Sequence, residues 1–388
     1  MRVAIVTESF PPDINGVAHC ALQTADHLHR RGHHPLVIAP AGPPGGPPHA
    51  TTDGPPESRG ELDRSHPYPV VRIPSLPLPG YPQVRVALPS RRLAAAITSH
   101  HSDVVHLASP FVLGARGMTA ALRLRIPAVA VYQTDLGGYA RTYLGAGENA
   151  AWRRIRAVHT AADRTLAPST AAARDLDEHG VPRIRLWPRG VDTERFHPAR
   201  RDPDLRRTLA PGGELVVGYI GRLAPEKNVE LLAPLCLLPG VRVVVVGDGP
   251  SEPALRAAMP GARFLGRRTG DELARIFASL DIFVHTGPQE TFCQTVQEAQ
   301  ASGVPVVAPA AGGPLDLVDH GRTGLLVPPG DATEVSEAVS RLTADSRLRT
   351  ALGHAGRAAV EGRTWEAIVD QLIDHYAEVL TARTAVAA

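Results

Sequence analysis

Cysteine is scarce, with three in 388 residues, Cys20, Cys236 and Cys293, at spacings that fit neither a disulfide framework nor a metal knuckle. That scarcity is the expectation for a reducing, cytosolic compartment. No run approaches the ~18 consecutive apolar residues of a membrane span. The N-terminal MRVAIVTESF lacks the positive n-region and cleavage site of a secretory leader. The expectation is a chain that is soluble or that lies on a membrane surface. An excess of one charge is lacking too: the formal net charge is +2, which gives no global reason to expect nucleic acid as a partner. Neither G-x-G-x-x-G nor G-x-x-x-x-G-K-[ST] follows the first strand, which disfavours a nicotinamide enzyme and a P-loop NTPase. Lysine is nearly absent. Of the 41 basic residues all but one are arginine. The bias has the look of a GC-rich genome, and the one lysine standing against it, Lys227, marks a position worth locating.

What is present is an ordinary globular composition, 43% hydrophobic and 21% charged, in a chain long enough for two cores. Short β-branched runs alternate with amphipathic segments, the pattern of parallel α/β sheets. In the first half strands are expected at Val3–Val6, Pro35–Ile38, Val70–Ile73, Val104–Leu107 and Ala128–Tyr132. Helices fit Val17–Arg31, Ser90–Ser99, Phe111–Leu124 and Trp152–Ala162, and the Gly- and Pro-rich Ala41–Gly60 reads as a flexible surface loop. A second series has strands at Leu215–Ile220, Val241–Val246, Arg263–Leu265, Ile282–His285, Val304–Ala308 and Gly324–Val327. Its helices fall at Val229–Leu238, Asp271–Leu280, Thr291–Ser302 and Ala332–Leu342. Two doubly wound domains in tandem are the simplest account, joined near Trp187–Arg207, where apolar periodicity lapses. No period of 20–50 residues repeats, which disfavours a solenoid.

In open parallel sheets ligands collect at the carboxyl ends of the strands, and there the unusual residues fall. The first strand runs into TESFPPDINGVAHC, where Gly16 allows a close backbone approach at a helix start that suits an anion. The first strand of the second series runs into GYIGRLAPEKNVELL, where Gly221 and Arg222 precede Lys227. Two cations at the mouth of a sheet suit a diphosphate better than one carboxylate. VVVVGDGP ends a strand in a tight turn at Gly247, which by itself carries no chemistry. In PQETFCQTVQEAQASGVPVVAP, Glu290 sits in a loop and Glu298 about two turns into the following helix, with Thr291, Phe292 and Cys293 in its first turn offering free N–H groups. Carboxylates accept hydrogen bonds and a sugar presents hydroxyls that need acceptors. Taken singly, each motif also suits a bland role: a turn, a solvated lysine, a helix N-terminal charge.

Together, GR-x4-K, GDG and E-x7-E resemble the second domain of retaining glycosyltransferases of the GT-B architecture, specifically glycosyltransferase family four. MRVAIVTESFPPDINGV is similar to that family's N-terminal strand and glycine loop, and PRGVDTERFHP to its interdomain linker. The resemblance implies two Rossmann-like domains facing each other across a cleft: residues 1–188 binding the acceptor, 189–364 binding the nucleotide-sugar donor, and 365–388 forming a helix that crosses back to the first domain. It further implies that Arg222 and Lys227 neutralise the donor diphosphate, that Glu298 accepts from the ribose, and that Glu290 and the N–H groups of Thr291–Cys293 hold the hexose. Gly16 would meet the phosphates or the acceptor, and AGGPLDLV, Ala311–Val318, would close the sugar side. No metal or other cofactor is expected, because the cations and helix N-terminus stabilise the leaving group electrostatically. Many members carry a histidine after the fourth or fifth N-terminal strand, where this chain reads VYQTDLGGYA; Asp135 is the nearest replacement and Gln133 the other candidate.

The finer resemblance is to actinobacterial GDP-mannose-dependent α-mannosyltransferases, carried by DVVHLASPFVLGARG, VYQTDLGGYA and ETFCQTVQEAQASGVPVVAPAAGGPLDLVD. It implies transfer of mannose to a sugar or lipid-linked acceptor hydroxyl. UDP- or ADP-sugar transfer to a soluble acceptor is the alternative, ahead of a nucleotide-sugar 2-epimerase or a catalytically silent binding protein. A further expectation concerns PSLPLPGYPQVRVALPSRR, where Leu76, Leu78, Tyr81 and Val84 interleave with Arg85, Arg91 and Arg92. That mixture suits peripheral contact with the inner face of an anionic membrane, or merely a proline-rich connection.

Overall fold

The computed structural model describes residues 1–13, 15–42, 65–78, 81–109, 111–133 and 148–387. Most of the Gly- and Pro-rich stretch, from residue 43 on, and Asp135 lie outside them. The chain divides into two units. The first comprises Met1–Pro168, Ala172–Pro188 and Ile368–Ala388, the second Ser169–Ala171 and Arg189–Ala367.

The first unit runs β1 (Arg2–Val6), α1 (Gly16–Arg30), β2 (His34–Pro40), β3 (Val70–Ile73), β4 (Ser75–Leu78), β5 (Tyr81–Ala87), α2 (Arg92–Ser99), β6 (Val104–Leu107), α3 (Val112–Leu124), β7 (Ala128–Val131), α4 (Glu148–Ala161), β8 (Arg164–Ala167), α5 (Thr170–Glu178) and β9 (Ile184–Leu186). Its seven-stranded sheet has the order β3-β2-β1-β6-β7-β8-β9, with every pairing parallel. Both faces of β1 and β6 are buried, as a strand covered by helices on both sides requires. The stretch around Leu76 departs from a plain connection. It folds as an antiparallel hairpin in which Leu76 pairs with Val86 and Pro77 with Arg85, and the next helix starts at Arg92 rather than Ser90.

The second unit holds α6 (Pro203–Leu209), β10 (Leu215–Ile220), β11 (Val241–Val246), α7 (Glu252–Ala258), β12 (Arg263–Gly266), α8 (Gly270–Ser279), β13 (Ile282–Val284), α9 (Gln294–Ala301), β14 (Val306–Pro309), α10 (Pro314–Leu317), β15 (Gly324–Val327), α11 (Ala332–Ala344) and α12 (Ser346–Val360). The sheet order is β12-β11-β10-β13-β14-β15, again all parallel. The segment read as helix Val229–Leu238 is a 3-10 stretch, Val229–Leu237, with Pro234 inside it. Proline lacks the N–H an α-helix needs there and its ring crowds the preceding turn. The last helix, α13 (Trp365–Ala387), joins the first unit from Ile368 onward. It is held there by a buried 2.7 Å hydrogen bond between Tyr376 Oη and His106 Nδ1, and by Trp187 Nε1 donating to Ile368 O.

In each sheet the strand order reverses once, between β1 and β6 and between β10 and β13. Loops leaving the two strands at such a switch point diverge and leave a crevice at their carboxyl ends. In the second unit those loops carry Gly221–Lys227 and His285–Cys293.

Candidate active site

The loop after β10 is pinned from beneath by Tyr219, whose buried hydroxyl donates to Arg222 O at 3.1 Å. Arg222 forms an ion pair with Glu226, whose carboxylate is almost wholly buried. The sequence marked Arg222 and missed Glu226, which lies between the two cations of the motif. Pro225–Lys227 is a 3-10 turn, closed by Asn228 in the left-handed region. It aims Lys227 across the crevice, where Nζ donates to Glu290 Oε1 at 2.6 Å. The two side chains are 14% and 19% exposed. Thr286 Oγ1 donates to Lys227 O at 2.6 Å, so the loops from β10 and β13 are joined through backbone as well as side chain.

A third partner, His285, follows β13 directly. Its ring is 3% exposed, with Nε2 lying 3.3 Å from Glu290 Oε1 and 3.1 Å from Gly287 O. Burial opposes charging the imidazole, but Cys293 and Glu290 outweigh it and raise His285 to about 10. Burial likewise opposes ionisation of Glu290, and Lys227 and His285 overcome it, holding the carboxyl well below its usual range. The loop therefore presents an ionised carboxylate flanked by two cations. His285 was not singled out from sequence, where it reads as the last residue of a buried strand.

The segment after Glu290 corrects the expected helix. Thr291, Phe292 and Cys293 are not its first turn, because α9 begins at Gln294 and Cys293 caps it at φ 78. The reason lies across the crevice, where Gly313 N donates to Glu290 O at 2.8 Å and keeps this stretch in a loop. A Cβ at Gly313 would fall 2.1 Å from Phe292 O, so the approach of AGGPLDLV to Glu290–Phe292 needs glycine. Gly247 is a second such position. At φ +135 its missing Cβ would meet Gly221 O at 1.9 Å, and the turn after β11 can touch the turn after β10 only without one. Glu298 is consequently just over one turn into α9 rather than two. It is partly buried, and burial pushes it up to about 8 against a smaller pull from Arg195.

The first unit keeps a separate set at its own switch point. Asn15 caps α1, its Oδ1 accepting from Val17 N and Ala18 N at 3.0 and 2.9 Å, and Gly16 is the first helical residue. Glu8, not marked from sequence, has Oε1 accepting from Leu113 N at 2.5 Å and Gly114 N at 3.0 Å. Burial raises it to about 7 against those two bonds. Gln133 is buried and its Nε2 donates to Ala108 O.

Two doubly wound parallel sheets, with charged loops at the switch point of the second, define a GT-B glycosyltransferase, and the chain belongs to glycosyltransferase family 4. Residues 14–195 match Glycosyltransferase Family 4 and residues 214–345 match Glycosyl transferases group 1. It is 48% identical to a GDP-mannose-dependent alpha-mannosyltransferase of Mycobacterium tuberculosis, covering 100% of this chain and 99% of that one. It is 42% identical to the protein of the same name from Corynebacterium glutamicum, covering 98% and 89%. Among solved structures it resembles a sucrose-phosphate synthase from Thermosynechococcus elongatus, with TM-score 0.78, 21% identity and 98% and 99% coverage. It also resembles Anabaena HepE in complex with UDP, with TM-score 0.75, 21% identity and 97% and 100% coverage. Among the described residues no helix is long and apolar enough to cross a membrane.

Proposed function

We propose that the chain transfers mannose from GDP-mannose to an acceptor hydroxyl with retention of configuration. The observation that carries this reading is the meeting of the chain's one lysine with the first carboxylate of E-x7-E at 2.6 Å, which sets a cation and a hydroxyl acceptor side by side. When a donor enters, its diphosphate competes for Lys227 and Arg222, and Glu290 turns its freed oxygen to a sugar hydroxyl. The N–H groups of Thr291–Cys293 and the nearby Ala311–Val318 segment enclose the hexose, and Glu298 accepts from the ribose. Gly16 meets the donor phosphates or the acceptor, and Asp135 takes the place of the family's N-terminal-domain histidine. Because cations stabilise the departing charge, neither a metal nor a protein nucleophile is needed, and the leaving phosphate itself takes the acceptor proton. Full-length relatives at 42–48% identity bearing this activity in their names support the choice of sugar and nucleotide. Incubation with GDP-, UDP- and ADP-sugars, with analysis of released nucleotide and glycosylated product, tests it: GDP release with mannosyl transfer is expected, and epimerised or intact GDP-mannose contradicts it.

The acceptor is assigned to a lipid. Leu76 in the β4–β5 hairpin is 57% exposed, and Arg91 and Arg92 at the start of α2 are exposed as well. Arg85 is removed from the set expected from sequence, because its Nε and Nη2 donate to Ser75 Oγ and Ser75 O at 2.8 and 2.9 Å inside the hairpin. Each cation near an anionic leaflet contributes roughly 1 kcal/mol. Co-sedimentation with phosphatidylglycerol vesicles should therefore weaken with salt and with Arg91→Gln/Arg92→Gln. Equal recovery in the supernatant with and without vesicles assigns a soluble acceptor instead.

A further inference from the structure

Two side chains hold the Glu290 carboxylate, and they differ in how freely they can leave it. Both meet Oε1, Lys227 Nζ at 2.6 Å and His285 Nε2 at 3.3 Å. The hydrogen bond from Gly313 N goes to the Glu290 carbonyl, so it fixes the backbone and leaves the aim of the carboxylate to these side chains. Lys227 carries its charge on a flexible four-carbon stem. His285 has no such freedom. Its backbone N–H donates to Val307 O at 2.9 Å, in line with the β13–β14 pairing. Its ring is buried, and Nε2 donates to Gly287 O at 3.1 Å. A carbonyl and an ionised carboxylate can only accept, so the nitrogen facing both carries a hydrogen whether the ring is neutral or charged.

An anion entering the crevice therefore draws off the lysine and leaves the imidazole. The Glu290 side chain is only 19% exposed, and a carboxylate so far out of water is costly to leave unpaired. Without a remaining donor it would take up a proton or turn away after Lys227, and either change weakens it as an acceptor for a sugar hydroxyl. A carboxylate oxygen has two lone pairs. Oε1 can keep the imidazole N–H on one and receive a hydroxyl on the other, in the position that Lys227 vacates.

We propose that His285 is a positioning residue for the transfer step, keeping Glu290 ionised and aimed at the hexose once the donor diphosphate has drawn Lys227 away. The donor half of this statement rests on the proposed function, whereas the hold of His285 on Glu290 in the absence of Lys227 does not. A histidine that only filled the core behind β13 and satisfied Gly287 O would contribute the same whether or not Lys227 and the Glu290 carboxylate were present.

Two comparisons on the full chain test this. The first needs no substrate. His285→Phe, which keeps a ring and removes both nitrogens, should lower the melting temperature more in a Lys227→Ala background than in wild type, and adding Glu290→Gln should remove that excess. If the double variant does not fold, recovery of folding on adding Glu290→Gln supports the proposal and no recovery overturns it. The second is kinetic. At saturating GDP-mannose, with an anionic lipid extract as acceptor, His285→Phe should lower kcat about tenfold or more while changing GDP affinity less. His285→Gln, which returns an N–H donor near the position of Nε2, should recover kcat to within about threefold of wild type. An equal thermal loss in both backgrounds, a kcat for His285→Phe within about threefold of wild type, or equal impairment by the Phe and Gln substitutions overturns the proposal. Absence of mannosyl transfer by the wild-type protein counts against the proposed function instead and leaves the thermal comparison to decide.

Discussion

Replacing Lys227 by alanine removes two interactions at once, and the structure separates them. In the free protein it breaks the 2.6 Å pair with Glu290. Stripping one partner from a buried pair costs about 3–5 kcal/mol when nothing else compensates, but His285 stays 3.3 Å from the same oxygen. The stability loss should therefore be nearer 1–2 kcal/mol, a fall in melting temperature of a few degrees. In the donor complex the loss is that of a cation on the diphosphate. A unit-charge pair at about 4 Å with an effective dielectric constant near 20 is worth about 4 kcal/mol, and the contact strengthens as the leaving group gains charge. A fall in kcat/KM of about 10²–10³-fold follows at 1.36 kcal/mol per decade. Lys227→Arg keeps the charge on a different geometry and should recover part of it. Steady-state kinetics on variants verified as folded would measure both effects. If Lys227→Ala kept kcat/KM within threefold of wild type, the anion-site assignment would be refuted.

The two glutamates should separate by ligand. Glu290→Gln is expected to impair mannosyl transfer more than GDP binding, and Glu298→Gln to weaken GDP binding itself; calorimetry and kinetics showing the reverse would exchange their roles. Because Glu298 is raised to about 8 in the free protein, it carries its proton below that pH, and ribose hydroxyls that donate to it favour its ionised form. GDP affinity should then rise with pH between 6 and 8 by up to tenfold per unit. Proton release on binding, read by calorimetry in buffers of different ionisation heat, should disappear in Glu298→Gln. For stability the sign is opposite, since a carboxyl raised above its unfolded value stabilises the fold at low pH and loses that contribution as pH rises through about 8. Gly313→Ala should lower stability by at least ~2 kcal/mol, since its Cβ would lie 2.1 Å from Phe292 O, in a thermal melt where Gly321→Ala, with open space around it but φ +77, loses only its backbone strain.

The strands around the site were legible because parallel strands covered on both faces read as continuous β-branched runs. Val70–Ile73, Val104–Leu107, Leu215–Ile220, Val241–Val246 and Gly324–Val327 begin and end where the sequence reading put them. Short elements with mixed polarity were not. β8, Arg164–Ala167, and β9, Ile184–Leu186, offer three or four residues each and no clear period, and the β4–β5 hairpin hides behind prolines. In the site, Arg222, Lys227 and Glu290 stood out because charge at the end of an apolar strand is conspicuous. His285, Glu226 and Glu8 did not, since their roles come from partners 5, 4 and 105 positions away that spacing alone leaves unspecified. The start of α9 was misplaced because the hydrogen bond from Gly313 to Glu290 overrides local helix preference.

The most direct measurement is the anomeric configuration of the product formed from GDP-α-mannose and an anionic lipid extract, determined by NMR of the isolated mannolipid, with and without a chelator. The account predicts an α-mannoside formed with one GDP released per mannose transferred, at the same rate when divalent metal is removed. A β-mannoside, loss of turnover with chelator, or untouched GDP-mannose beside consumed UDP-sugar would contradict it.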